Sequence, residues 1–133
     1  MMKNSDLNVL LVDDDLMSLE SLSSFLSSEG YSIEAHTGID AAWEACEHKN
    51  FDIVASDYML KDANGLDLLY HVKLINPKTY TILFTGYSSS EVLDKLKLYD
   101  IDLFLTKPII VRDLINLFEE LKSNKQKFIL RIS

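Results

Sequence analysis

The chain has one cysteine, Cys46, among its 133 residues. No internal disulfide is possible, which suits a reducing compartment. Cys46 has the spacing of a helix-face residue, so packing is expected of it rather than thiol chemistry. Basic residues are scarce too: 13 against 21 acidic, a net charge of −8. That argues against general nucleic-acid binding, which needs a basic footprint. No apolar run approaches the ~18 residues that cross a bilayer, and the opening "MMKNSDLN" lacks the apolar stretch of a signal peptide. The expectation is a soluble cytoplasmic protein with no membrane partner. His36, His48 and His71 fall in different segments without metal-ligand spacing, and are expected to be ordinary surface or half-buried residues. No internal repeat is evident.

What is present is apolar and well distributed. Hydrophobic residues make up 47% of the sequence, and its length is that of one domain able to bury its own core. The few basic residues are unevenly placed. Residues 122–133 carry Lys122, Lys125, Lys127 and Arg131 with no acid, and the other 121 residues hold nine basic against 21 acidic side chains, a net −12. The domain is expected over residues 1–122, with 123–133 a basic tail or helix extension.

Two kinds of segment alternate. "NVLLV" (8–12), "YSIEAH" (31–36), "FDIVAS" (51–56), "TYTILF" (79–84) and "IDLFL" (101–105) are short, β-branched and aromatic, and predict strands. The first, third and fourth are nearly continuous in apolar character, as when both sheet faces are covered. Helical stripes lie between them: Leu19, Leu22, Phe25 and Leu26, with Gly30 as a stop; Ile39, Ala42, Trp43 and Cys46, with Thr37 and Asp40 spaced as a capping box; Leu66, Leu68, Leu69, Val72 and Ile75, ended by Asn76-Pro77; Val92, Leu96 and Tyr99; and Ile110, Leu114, Leu117, Phe118 and Leu121. Strand–helix repeated five times predicts an α/β fold: a doubly wound parallel sheet with helices on both faces. Sites in such folds lie at the carboxyl ends of the strands.

Polar residues gather where that rule points. Asp13 and Asp14 follow the first strand, Asp57 the third, Thr85 the fourth and Lys107 the fifth. Carboxylates brought together will not all stay ionised without compensation. A hard divalent cation such as Mg²⁺ supplies it, keeping open positions for phosphate oxygens. A lysine and a threonine hydroxyl beside it complete a clamp for a transferring phosphoryl group. One carboxylate can then be the nucleophile, giving an aspartyl phosphate. Asp15 is read as the N-cap of the first helix.

With "LLVDDD", "IVASD" ending in Asp57, Gly65 eight residues later, "FTG" with Thr85 and "FLTKP" with Lys107 and Pro108, the sequence resembles the receiver domains of two-component response regulators from residue 8 to about 121. The resemblance implies a flavodoxin-like fold with strand order 2-1-3-4-5. It implies Asp57 as phosphoacceptor, and Mg²⁺ held by Asp13, Asp14, Asp57 and the backbone carbonyl of Met59, with Asp14 a direct ligand and Asp13 acting through water. Lys107 would pair with the phosphoryl group and Thr85 would bond to it. Gly86 would leave room beside it, and the Lys107–Pro108 bond would be cis. Thr85 and Phe104 would be the switch pair, and Phe104, lacking a hydroxyl, would act by packing. The implied partners are a histidine kinase or phosphotransfer protein upstream. Downstream, an effector or a second copy would dock on the face of the fourth helix, fifth strand and fifth helix. Catalysis would serve only the domain's own phosphorylation and dephosphorylation.

The sequence departs from the family's usual pattern in places. Leu60 and Lys61 stand where Met-Pro is common, so the loop after Asp57 is expected to be less restricted, and Met59 could shield an acyl phosphate. Asp100 stands where glycine is frequent. Two other readings compete. A haloacid-dehalogenase-type phosphatase would use Asp13 as nucleophile and Asp15 as second acid, but has Met17 where its motif wants Thr or Val. A docking module would need no phosphorylation.

Overall fold

The computed structural model describes residues 7–61, 63–86 and 90–132, with the backbone alone at 90–92, 96 and 124–132. Five strands, β1 (Asn8–Val12), β2 (Ser32–His36), β3 (Ile53–Asp57), β4 (Tyr80–Thr85) and β5 (Leu103–Thr106), alternate with five helices. The helices are α1 (Leu16–Ser28), α2 (Ile39–His48), α3 (Gly65–Ile75), α4 (Ser90–Leu98) and α5 (Val111–Ile132). All strand pairs are parallel and the order is β2-β1-β3-β4-β5. The order reverses between β1 and β3, which makes their carboxyl ends the expected crevice.

The period-two geometry of a strand divides the core in two. Leu10, Val12, Val54 and Leu83 face one way, into a cluster with Ala42, Cys46, Leu66, Leu68, Leu69 and Val72 of α2 and α3. Val9, Leu11, Ile53, Ala55, Ile82 and Phe84 face the other, against Leu19 and Leu26 of α1 and Leu114 and Phe118 of α5. Each side chain fully buried this way contributes roughly 1.5–3 kcal/mol. Cys46 lies in the first cluster as a packed residue, and burial pushes its thiol up to about 11, which leaves it inert at neutral pH.

Some local expectations meet the structure differently. α2 starts after Gly38, which makes no side-chain cap bond. Thr37 therefore lies one residue too early for a capping box, and Asp40 instead favours the first turn through the helix dipole. Ile75, the last residue of α3, is 56% exposed. Ile110 is 62% exposed; it precedes α5 and lends only its carbonyl, to the N–H groups of Asp113 and Leu114. The side chains of Val92, Leu96 and the apolar residues of 128–132 lie outside the described residues, as does the N-terminal stretch 1–6. Gly30 ends α1 at φ 99° and Asp100 takes φ 56° before β5, the left-handed conformation that Asp tolerates better than most residues. The Lys107–Pro108 bond is cis. No helix among the described residues is long and apolar enough to cross a membrane.

Candidate functional site

Parallel strands deliver their last residues to one edge. Asp13 directly follows β1, and its N–H donates to the His36 carbonyl of β2 at 3.2 Å. Asp57 ends β3 in register with Phe84, and Thr85 ends β4 in register with Thr106. The Lys107 N–H donates to the Thr85 carbonyl at 2.7 Å. Strand pairing thus gathers residues up to 94 positions apart in sequence.

The Lys107 ammonium lies 3.1 Å from Asp57 Oδ2 and 3.3 Å from Asp13 Oδ2. Asp13, Asp14 and Asp57 offer carboxylate oxygens within 4.8 Å of one another. Asp13 is buried, Asp57 half-buried, and Asp14 exposed at the mouth. Asp13 Oδ1 also accepts the Asp15 N–H at 2.9 Å, which fixes its carboxylate toward the pocket. Burial raises the pKa of Asp57; Lys107 opposes this, while the charges of Asp13 and Asp14 add to it. Burial is also the largest single influence on Lys107 and would lower it, but the bonds and charges of Asp57 and Asp13 together outweigh it and raise it. The Lys107 shift reflects two carboxylates facing one ammonium, whereas the Asp57 shift is first an effect of burial.

The expected residues separate into those brought together and those not. Asp13, Asp14, Asp57 and Lys107 meet. Thr85 is buried at the same edge, and Phe104 is half-buried against the α2–α3 cluster. Asp15 caps α1: its carboxylate accepts from the N–H groups of Met17 and Ser18 and from the Ser18 hydroxyl. Ser18, the largest influence, lowers its pKa. Engaged in this way, Asp15 is not the second acid of a dehalogenase-type site. Met59 is mostly exposed, so its side chain shields little.

Gly65 was a landmark of the sequence, but sequence reading missed Ser56 and Asn64, which hold the loop after Asp57. Gly65 makes the loop possible: a Cβ there would lie 1.9 Å from the Asp57 carbonyl oxygen and 2.7 Å from Ser56 Oγ. Buried Ser56 donates its hydroxyl to that same carbonyl at 2.9 Å. The Asn64 side chain accepts the Leu66 N–H at 2.7 Å and caps α3. Asn-Gly before an apolar stripe was the available signal for the cap; nothing in the sequence marks Ser56.

A doubly wound sheet whose carboxyl edge carries an acidic cluster bridged by one lysine defines a class of α/β signalling and phosphoryl-handling folds. Comparison with known proteins narrows it. The chain matches the response regulator receiver domain over residues 9–119, and it belongs to that family. It is 29% identical over 109 residues to the transcriptional regulatory protein ZraR of Escherichia coli O157:H7, covering 81% of this chain and 24% of that protein. It is 31% identical over 104 residues to a cyclic di-GMP phosphodiesterase of Thermotoga maritima, covering 77% and 27%. The chain thus spans about a quarter of the length of these curated relatives. Among solved structures, a CheY-like receiver domain protein from Methanospirillum hungatei JF-1 superposes with a TM-score of 0.83 at 29% identity, covering 91% of this chain and 98% of that one. No comparison supports a dehalogenase-type phosphatase or a docking module.

Proposed function

We propose that this receiver domain takes a phosphoryl group onto Asp57 from a histidine kinase or phosphotransfer protein and thereby switches the binding of a downstream partner. One observation carries the reading: Lys107 joins Asp57 to Asp13, with Asp14 in the same cluster. The donor set is all carboxylate oxygen, which suits Mg²⁺ rather than a soft metal. One oxygen from each of Asp13, Asp14 and Asp57 lies within 4.8 Å of the others, near enough together for one small hard cation to be held by them. Asp57 and Asp14 would bind directly, Asp13 through water, and the Met59 carbonyl would complete the protein's share. When bound, the cation neutralises charge on the transferring group.

The chain's own residues do the rest. An Asp57 oxygen attacks phosphorus in line, and the bond to the donor breaks. Lys107 exchanges part of its pairing with Asp57 for the new phosphoryl oxygens, and the Thr85 hydroxyl donates to another. A groove along Leu22, Phe25 and Ile109 reaches Asp13 and Lys107 and gives the donor an approach. Catalysis is confined to the domain's own modification, in the cytoplasm. The effector or a second copy docks on the face of α4, β5 and α5, and the stretch from 123 to 132 continues α5 beyond the domain proper.

Acetyl phosphate with Mg²⁺, followed by intact mass and site mapping, tests this. One phosphoryl group on Asp57, absent from Asp57→Asn, is the expected result. Full labelling of Asp57→Asn at another residue, or of Asp13, overturns it.

A further inference from the structure

Among the described side chains of α4, Leu93, Asp94, Lys97 and Leu98 are exposed, while Lys95 turns inward. Its ammonium donates to the Tyr58 hydroxyl at 3.3 Å and stands 6.0 Å from the centre of that ring. Tyr58 is the residue after Asp57. Its N–H donates to the Phe84 carbonyl at 2.7 Å and its carbonyl accepts the Gly65 N–H at 2.8 Å. Its ring packs, with Tyr99 and Phe104, on the α2–α3 cluster. Tyr58 therefore adjoins Asp57 in sequence and the residue before Thr85 by its main chain, and it packs on the same cluster as Phe104. A side chain of α4 hydrogen-bonded to this phenol registers where the acceptor loop sits.

The geometry points to Lys95 and Tyr58 as a latch that positions α4 on the acceptor loop of the unphosphorylated domain and yields when Asp57 is phosphorylated. This rests on Asp57 being the acceptor. A phosphoryl group drawing Thr85 inward moves the end of β4, and with it the Phe84 carbonyl to which Tyr58 is pinned. The ring then shifts under α4. Lys95 is half-exposed, so a released ammonium is rehydrated readily and the latch is a bias rather than a lock. At 3.3 Å and half-exposed, the contact is placed in the range of an ordinary net hydrogen bond and biases the equilibrium roughly threefold to tenfold. Linkage requires that its removal tighten phosphoryl-analogue binding by no more than that factor.

Beryllofluoride titration of the intact chain with Mg²⁺ tests the pair, using Tyr58→Phe, which keeps the ring, Lys95→Met, which keeps the stem, and the double variant. Each single variant is expected to bind the analogue about threefold to tenfold more tightly, and the double no more tightly than either. Amide exchange along α4 without the analogue is expected to quicken in both singles. Unchanged or weakened affinity in folded variants, additive gains in the double, or unchanged α4 exchange each overturns the latch. Analogue binding retained in Asp57→Asn would remove the acceptor assignment and the phosphoryl coupling with it. Normal loss in Asp57→Asn with unaltered latch variants leaves the acceptor standing and rejects the latch alone.

Discussion

Asp57 is the residue with most at stake, because its position for chemistry is unfavourable for stability. Its folded pKa lies above the ordinary 3.8, mainly through burial. What it contributes to stability is therefore present below that value and lost as pH rises through the folded pKa. Lys107 behaves oppositely at neutral pH: raised above 10.5, its contribution is intact until pH rises past that range. Asp57→Asn is expected to raise the thermal midpoint of the metal-free domain at pH 7, with the gain fading by about pH 3, where the carboxyl is protonated anyway. Saturating Mg²⁺ is expected to narrow the gap. Thermal melts across pH 3–8 with and without the cation measure this, and a variant less stable at pH 7 would contradict it. The three adjacent acids are expected to divide labour at the same scale. Asp14→Asn is expected to weaken Mg²⁺ binding roughly tenfold or more. Asp15→Ala, which removes a cap, is expected to lower the midpoint and leave Mg²⁺ affinity nearly unchanged. Equal losses of affinity would reject the distinction. The cap was legible in the sequence, since Asp15 stands between the end of a strand and the stripe that begins at Leu19, and it does cap α1.

The elements were legible where their periodicity is unbroken and less so at their ends. All five strands and five helices fall where apolar runs and stripes put them, because a doubly covered parallel sheet leaves little ambiguity between the two periods. The misplacements are terminal: Thr37 and Asp40 form no box, and Ile75 and Ile110 stay exposed at or beyond a helix end. A stripe reports which face is apolar, not where the helix stops. The loop between β3 and α3 was the least legible, since its shape depends on contacts to main-chain atoms. Gly65 sits hard against the Asp57 carbonyl, so the requirement there is space, not a left-handed conformation. Gly65→Ala is expected to cost about 3 kcal/mol through overpacking, and to slow acetyl phosphate labelling by displacing the Asp57 main chain. Denaturant unfolding and a labelling time course check the two effects. A loss of stability with unaltered labelling would mean that the clash is relieved on the α3 side instead.

At the scale of the whole molecule, the sheet is a rigid rack that holds the pocket, and the question is what the pocket can move. The two cores are closely packed on β1, β3 and β4, and Phe104 on edge strand β5 is only half-buried. β5 pairs with β4 alone, so a change at the end of β4 has its least constrained outlet there. Phosphorylation adds negative charge and strong acceptor oxygens. On the proposed reading, Thr85 would be drawn to them by a charge-assisted bond, Lys107 would pair with them, and the Phe104 ring would fill the space Thr85 leaves. The face of α4, β5 and α5 would change accordingly. The extent is bounded by how much better the phosphoryl group is held in one packing than in the other. Thr85→Ala separates capture from transmission. It is expected to keep acetyl phosphate labelling at Asp57, at a reduced rate, because Asp14, Lys107 and the acceptor remain. With beryllofluoride its amide spectrum is expected to shift around Asp57 while β5 and α4 stay near their free positions; in the unaltered chain both regions shift. Shifts at Phe104 and α4 of equal size in both proteins would show that the signal leaves the pocket by a route independent of Thr85, and would count against the Tyr58–Lys95 latch too, since that latch is driven through the end of β4.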